Sequence, residues 1–181
     1  DGSIYVGEAH GAQFQDEPGP NAIGRITKWA PDGTFIKSWG SWGYGDGQFR
    51  APHSFAMDSQ GRLFIADRGN RRIQIFDQEG NLLAIWTQFG KPSGLVIDRN
   101  DVLYVVDGLS GRERPGWRDN FGWEQGIRIG DAETGWVTAF IPNVASADGA
   151  GMEFLGVDFE GNIYVNDLSR QRLTKYTQFR P

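Results

Sequence analysis

The sequence contains no cysteine, which removes disulfide staples, thiolate nucleophiles and thiolate metal ligands together. It has only two histidines, His10 and His53, so any imidazole chemistry runs through one or both. Positive charge is short as well: 18 lysines and arginines face 23 acids, giving a formal net charge of −5. A surface that tracks nucleic-acid phosphates needs an excess or a cluster of basic residues, so no nucleic-acid partner is expected. No apolar run approaches the ~18 residues of a membrane span, and no leader pattern follows Asp1-Gly2-Ser3. Gly-x-Ser-x-Gly, His-Glu-x-x-His and a calcium-loop pattern are also missing, which leaves hydrolase triads and helical metalloprotease sites unsupported.

What the chain does have is glycine and aromatic residues: 26 Gly, 12 Phe, 7 Trp and 5 Tyr in 181 residues. Length alone suggests one domain. The glycines recur in a pattern. Gly2-Ser3-Ile4-Tyr5-Val6-Gly7-Glu8, Gly61-Arg62-Leu63-Phe64-Ile65-Ala66-Asp67, Asp101-Val102-Leu103-Tyr104-Val105-Val106-Asp107 and Gly161-Asn162-Ile163-Tyr164-Val165-Asn166-Asp167 each join a turn residue, a β-rich run and a terminal acid. The last three are preceded by another short run ending in Asp58, Asp98 or Asp158. Turn chemistry links the two runs, because Gly or Asx supplies the left-handed conformation a tight hairpin demands. A third strand follows at Arg25–Trp29, Arg72–Phe76, Ile127–Ile129 and Arg172–Tyr176, and a fourth at Phe35–Trp39, Leu82–Trp86 and Trp136–Phe140. The alternation has period two, and no helical period appears.

The unit is a four-stranded antiparallel meander of about 40 residues, the size of a propeller blade. The expected fold is therefore all-β, a β-propeller, with blades at about 1–40, 41–90, 91–143 and 144–181. A two-sheet sandwich also uses short strands, but it does not repeat one four-strand cassette. Trp29, Trp39, Trp42, Trp86 and Trp136 lie in or beside strands and are expected to pack between blades.

Asp46-Gly47-Gln48-Phe49-Arg50-Ala51-Pro52-His53-Ser54, followed by Leu63-Phe64-Ile65-Ala66-Asp67-Arg68-Gly69-Asn70-Arg71-Arg72-Ile73-Gln74, resembles an NHL repeat. Within that superfamily the chain is most similar to the catalytic domain of peptidyl-α-hydroxyglycine α-amidating lyase and its bacterial relatives. The similarity covers most of residues 1–140. The resemblance implies a six-bladed ring and an extracytoplasmic protein. Strand counting gives three, four, four and three strands, with the first blade lacking its opening strand and the last its closing one. The expectation is that the sequence is part of a longer protein, or that another chain or copy completes the ring.

In such a meander, the start of the first strand and the end of the second lie on one rim, facing the axial mouth. Counting five back from the aspartate that ends each first strand gives His53, Ser93 and Glu153 as equivalent positions; Glu8, Asp67, Asp107 and Asp167 close the second strands, with His10 and Arg68 just beyond. Asp107 and Asp167 read as turn caps. The resemblance makes His53 a zinc ligand, since Pro52-His53-Ser54 matches a zinc-binding motif of the lyases. Glu153, two blades on, stands where the family has another histidine. A carboxylate binds zinc, and also calcium or manganese, so a divalent metal on His53 and Glu153 is expected, with no organic cofactor. His10 stands where the lyases carry a catalytic tyrosine, and an imidazole there can take a substrate proton. Arg68 matches an arginine of the lyase motif that would orient an anionic substrate, while Asp67-Arg68-Gly69-Asn70 is also standard turn chemistry between the second and third strands.

Two long insertions rise from this rim. The one from Gly108 to Gly126 carries Arg112, Arg114, Arg118, Trp117, Phe121 and Trp123, a mixture suited to closing over an anionic or peptide-like ligand. Two functional readings follow. One is a metal-dependent lyase acting on a small molecule or peptide. The other is a non-enzymatic propeller that binds a protein or peptide through the arginine and tryptophan residues of 108–126.

Overall fold

Among the described residues, fourteen strands form four antiparallel meanders that follow one another along the chain. The computed structural model describes residues 2–9, 19, 22–111, 120, 122–143, 151–168 and 170–177. The first sheet holds β1 (Ile4–Glu8), β2 (Arg25–Trp29) and β3 (Phe35–Trp39). The second holds β4 (Pro52–Met57), β5 (Leu63–Asp67), β6 (Arg72–Phe76) and β7 (Leu82–Trp86). The third holds β8 (Pro92–Ile97), β9 (Val102–Asp107), β10 (Gly126–Asp131) and β11 (Val137–Pro142). The fourth holds β12 (Met152–Val157), β13 (Ile163–Asp167) and β14 (Arg172–Tyr176). Among the described residues, no helix is long and apolar enough to cross a membrane.

The hairpins explain why the strands stop where they do. Asp58, Asp98 and Asp158, read from sequence as the last residues of strands, are the first residues of turns. Each accepts backbone N–H bonds two and four residues on: Asp58 from Gln60 and Arg62, Asp98 from Asn100 and Val102, Asp158 from Glu160 and Asn162. The side chain thus satisfies the turn's donors and ends the ladder one residue early. Gly61 and Gly161 then take positive φ, and Asp101 does so at the equivalent position of the third sheet, at φ 57°. A non-glycine residue there is unusual. Its carboxylate accepts the backbone N–H and hydroxyl of Ser59, tying the second sheet's turn to the third's.

Alternation sends each strand's side chains to two neighbours. On β5, Leu63 and Ile65 join Ile26, Phe49 and Phe76 against the first sheet, while Phe64 and Ala66 join Leu95, Leu103 and Val105 against the third. On β9, Leu103 and Val105 look back, and Tyr104 and Val106 look forward to Met152, Ile163 and Val165 of the fourth sheet. The core is therefore three separate layers, one in each gap between blades. Each fully buried side chain of this size stabilises the stack by roughly 1.5–3 kcal/mol.

Two tryptophans fill these gaps in the same way. Trp39 lies under Gly80 and Trp86 under Gly135, where a Cβ on either glycine would collide with the indole of the preceding blade. Trp136 departs from the expected packing, since it is 74% exposed on the outer edge of the third sheet. Trp29 packs edge-on against Phe35 within its own sheet, and Trp42 against Tyr44. The outward faces of the first and last sheets remain apolar. Ile4 and Val6, which occupy the places of Leu63 and Ile65, are about half exposed, and Leu173, in the place of Ile73, is exposed.

Candidate functional site

The rim where the second strands end is anchored by aspartates. Asp67, fully buried, accepts N–H bonds from the Arg50 backbone (3.0 Å), Arg72 Nε (2.9 Å), Asn70 Nδ2 (2.8 Å) and Gln74 Nε2 (3.1 Å). Asp107 accepts from the backbones of Lys91, Leu109 and Ser110 and lies 3.5 Å from Arg128 Nη1. Asp167 accepts from the Arg170 backbone. Burial pushes the Asp67 and Asp107 carboxyls up from the ordinary value, opposed by these donors. With their lone pairs committed, they hold the segment that leads into each innermost strand and have little capacity left for a ligand.

Those innermost strands share an irregularity. Pro52 pairs with Asp67 and Ser54 with Ala66, so His53 is an extra residue outside the ladder. Pro92 pairs with Asp107 and Gly94 with Val106, which does the same to Ser93. In β12 the register shifts between Met152 and Leu155, and Asn166 Oδ1 accepts the backbone N–H groups of Glu153 and Phe154 in place of the ladder. A bulge frees a side chain from strict alternation and re-aims it. Here it occurs three times at one height on the axial mouth.

Two of the freed side chains, His53 and Glu153, meet across the blade that lies between theirs. His53 Nδ1 donates to the backbone oxygen of Ser93 at 2.7 Å, and its ring stacks on Phe154 with centroids 5.2 Å apart. Its Nε2 lies 3.3 Å from Glu153 Oε1. Arg68 opens the short 3₁₀ turn Arg68–Asn70 after β5, and its backbone N–H donates to Ala51. Its side chain crosses to the fourth sheet, where Nη1 donates to the same Glu153 oxygen at 2.6 Å. Arg68 therefore serves the turn with its backbone and the mouth with its guanidinium. The His53 and Arg68 side chains are 6% and 4% exposed and Glu153 23%, so the carboxylate forms the solvent-facing cover of two buried bases. The His53 hydrogen bond, against partial burial and with help from Arg68, draws the Glu153 carboxyl from 4.5 down to about 2.

Hydrogen-bond roles restrict what lies between His53 and Glu153. A carbonyl only accepts, so Nδ1 carries a proton. A carboxylate also only accepts, so a neutral ring would set two lone pairs facing each other. The pair is balanced by a positive charge between them, either a proton or a metal ion. The fit to a metal is good for two ligands: Nδ1 donating to a backbone oxygen is the usual orientation of a metal-binding histidine, and the 3.3 Å separation matches two atoms each about 2.0–2.1 Å from a tetrahedral zinc. Among the described residues, no three His, Asp or Glu side chains gather at one point, so these two are the only acid or imidazole donors brought together here.

Close approach of the inner strands depends on Gly94. A Cβ there would fall 2.8 Å from the Glu153 backbone oxygen and 2.9 Å from Phe154 Cα. Gly94→Ala is expected to lower stability by about 1–3 kcal/mol, the usual cost of overpacking, and to push β12 away from Arg68. Denaturant unfolding measures the first effect; a wild-type midpoint would show that the strands have room to part.

Of the other residues singled out by sequence, His10, Arg112, Arg114, Trp117, Arg118 and Phe121 lie outside the described residues. Trp123 is half-buried, and the Arg128 guanidinium lies over its ring at 4.7 Å and over Phe140 at 4.8 Å, so this indole is engaged by its own sheet. Sequence reasoning missed the contribution of Asn166 and the bulges. A separate cleft of about 440 Å³, lined by residues that include Val96, Asp98, Tyr104, Val157 and Phe159, opens between the third and fourth sheets at the opposite rim, away from this cluster.

Comparison with known proteins agrees with this architecture. Residues 49–76 match the NHL repeat. The chain is 31% identical over 174 residues to peptidyl-glycine alpha-amidating monooxygenase A of Xenopus laevis, covering 84% of this chain and 16% of that protein. It is 43% identical over 63 residues to NHL repeat-containing protein 3 of Homo sapiens, covering 34% of this chain and 18% of the relative. The chain thus spans less than a fifth of the length of either. Among solved structures, the WD40 β-propeller domain of Doa1 superposes with a TM-score of 0.59 at 16% identity, over 86% of this chain and 44% of that one, a likeness of fold alone. Repeat, sheet order and relatives converge: the chain belongs to the NHL-repeat β-propeller family.

Proposed function

We propose that the axial mouth is the site of a metal-dependent lyase of the amidating class, acting on a small or peptide-like anionic substrate by cleaving a carbon–nitrogen bond. The observation that carries this reading is the convergence of His53 and Arg68 from one blade on Glu153 of another, with the His53 ring held by the backbone of the blade between them. Similarity to the amidating monooxygenase over most of the chain supports it. His53 Nε2 and Glu153 would hold a divalent ion, zinc first and calcium or manganese second. Bound there, such an ion polarises an oxygen of the substrate. Arg68 orients the anionic end, and the Ser93 carbonyl keeps the His53 ring turned to the mouth. Proton transfer is assigned to His10 on the resemblance. Further blades, on the same polypeptide or another, would cover the apolar faces at Ile4, Val6 and Leu173 and complete the ring.

Elemental analysis after dialysis against zinc tests the assignment. Stoichiometric metal is expected in the protein and at least a tenfold weaker hold in His53→Ala, because Glu153 is then left as the remaining ligand of the pair. Equal metal content in both proteins removes His53 as a ligand. Absence of turnover of a peptidyl-α-hydroxyglycine by the metal-loaded, complete protein removes the lyase reading.

A further inference from the structure

The second strand of each sheet as counted in a full blade carries an aromatic ring at one place: Tyr5, Phe64, Tyr104 and Tyr164. Three of these rings lie under a cation of their own sheet. Lys28 and Lys175, the cross-strand partners of Tyr5 and Tyr164, place Nζ 5.6 Å and 5.2 Å from the ring centroids. Phe64 faces Ile75 instead, and its cation comes from Arg62. That guanidinium lies 5.6 Å from the Phe64 centroid, donates from Nε to Asp58 Oδ2 at 2.6 Å, and reaches the Ala132 backbone oxygen of the third sheet at 3.0 Å. The third sheet has neither device. Ile129 faces Tyr104, Val102 stands in the place of Arg62, and among the described residues no cation lies over this ring. The 440 Å³ cleft between the third and fourth sheets opens beside it. A second tie is missing at the same point. Asp101 binds Ser59 across the second and third sheets, but its counterpart in the fourth is Gly161.

We infer that this cleft binds a guanidinium group, carried by a free arginine-like molecule or by an arginine side chain of a peptide, in the place that Arg62 fills one blade earlier. The cation lies on the Tyr104 ring beside Asp98, and its aliphatic stem runs along Val96 and Val157. Asp98 is the counterpart of Asp58. Its Oδ1 is committed to the turn, while Oδ2 has the Tyr104 hydroxyl at 3.4 Å, beyond the usual length of an O–H···O bond. Asp158 and Glu160 also line the cleft, and the one basic residue there, Arg99, is exposed. A planar guanidinium stacks on an aromatic face and forks its donors to a carboxylate, as Arg62 does. The site is on the rim opposite His53 and Arg68 and does not depend on the reading of the mouth.

The test is an NMR titration of the full chain with Nα-acetyl-arginine amide, following the backbone amides of Asn100, Val102 and Gly161. These should shift in a saturable way. The citrulline derivative, a neutral isostere, should bind at least about tenfold more weakly because it lacks the charge. Val102→Arg gives the third blade the residue that fills the second, so it should keep its unfolding temperature and lose the binding. Asp98→Asn retains an acceptor for the turn and should weaken binding at least about tenfold. If Val102→Arg does not fold, Asp98→Asn decides. Equal binding of the citrulline derivative, undiminished binding in the folded variants, or no shift in wild type overturns the inference. Tighter binding of the blocked amide than of free arginine assigns the site to peptides; the reverse order assigns it to the free molecule.

Discussion

Asp67→Ala is expected to cost about 3–5 kcal/mol, the largest loss from any single change at the rim. The substitution takes an acceptor from five donors at once: the Arg50 and Ala51 backbone N–H groups, Arg72 Nε, Asn70 Nδ2 and Gln74 Nε2. Arg72 is left as a buried cation whose remaining bonds go to the carbonyls of Gly45 and Gln48. Removing one partner of a buried pair is penalised in that range because the other charge stays in the protein. The control uses the same arginine. Asp46 lies 3.9 Å from Arg72 Nη1 but is 78% exposed, so Asp46→Ala should change stability by less than about 0.5 kcal/mol. Equal losses in the two variants would show that burial of the Asp67 pair is not what matters.

Glu153→Gln is expected to change both the size and the pH dependence of stability. In the folded protein the Glu153 carboxyl sits at about 2, against 4.5 when free, so folding favours the ionised form. Its contribution is fully present above about pH 4.5 and disappears as pH falls toward 2. The shift alone corresponds to about 3 kcal/mol. Part of the side chain faces solvent, which screens the pair, so about 1–2 kcal/mol is the expected loss in the variant at pH 7. Unfolding free energies measured from the acid end of that window up to neutrality should show the wild-type and Glu153→Gln curves converging on the acid side. A gap that stays constant over that range would mean that the loss comes from packing and not from the ionised carboxylate.

The blade pattern was legible because period-two alternation and hairpin turns leave marks within a few residues of each other. Leu63, Phe64, Ile65 and Ala66 announce both faces of β5 in four letters, and the three layers of core follow from them. The convergence at the mouth was legible in part, since His53, Ser93 and Glu153 sit at matched spacing from the turns. Their bulges were not, because the extra residue shows only when one strand is laid against another. The exposure of Trp136 is hidden from the sequence for a related reason. A tryptophan beside a strand looks the same in sequence whether the next blade covers it, as with Trp86, or solvent does.

The three bulges carry a consequence for how the mouth could be re-engineered. A residue that belongs to the ladder alternates between two packed gaps, and changing it disturbs a core layer. Positions 53, 93 and 153 stand outside that accounting, and they already hold an imidazole, a hydroxyl and a carboxylate on one frame. They behave as sockets: the scaffold sets where the side chain goes and leaves its chemistry open. A new ligand set, such as histidine in place of the partly exposed Glu153, can thus be tried on this rim without redesigning the sheets beneath it.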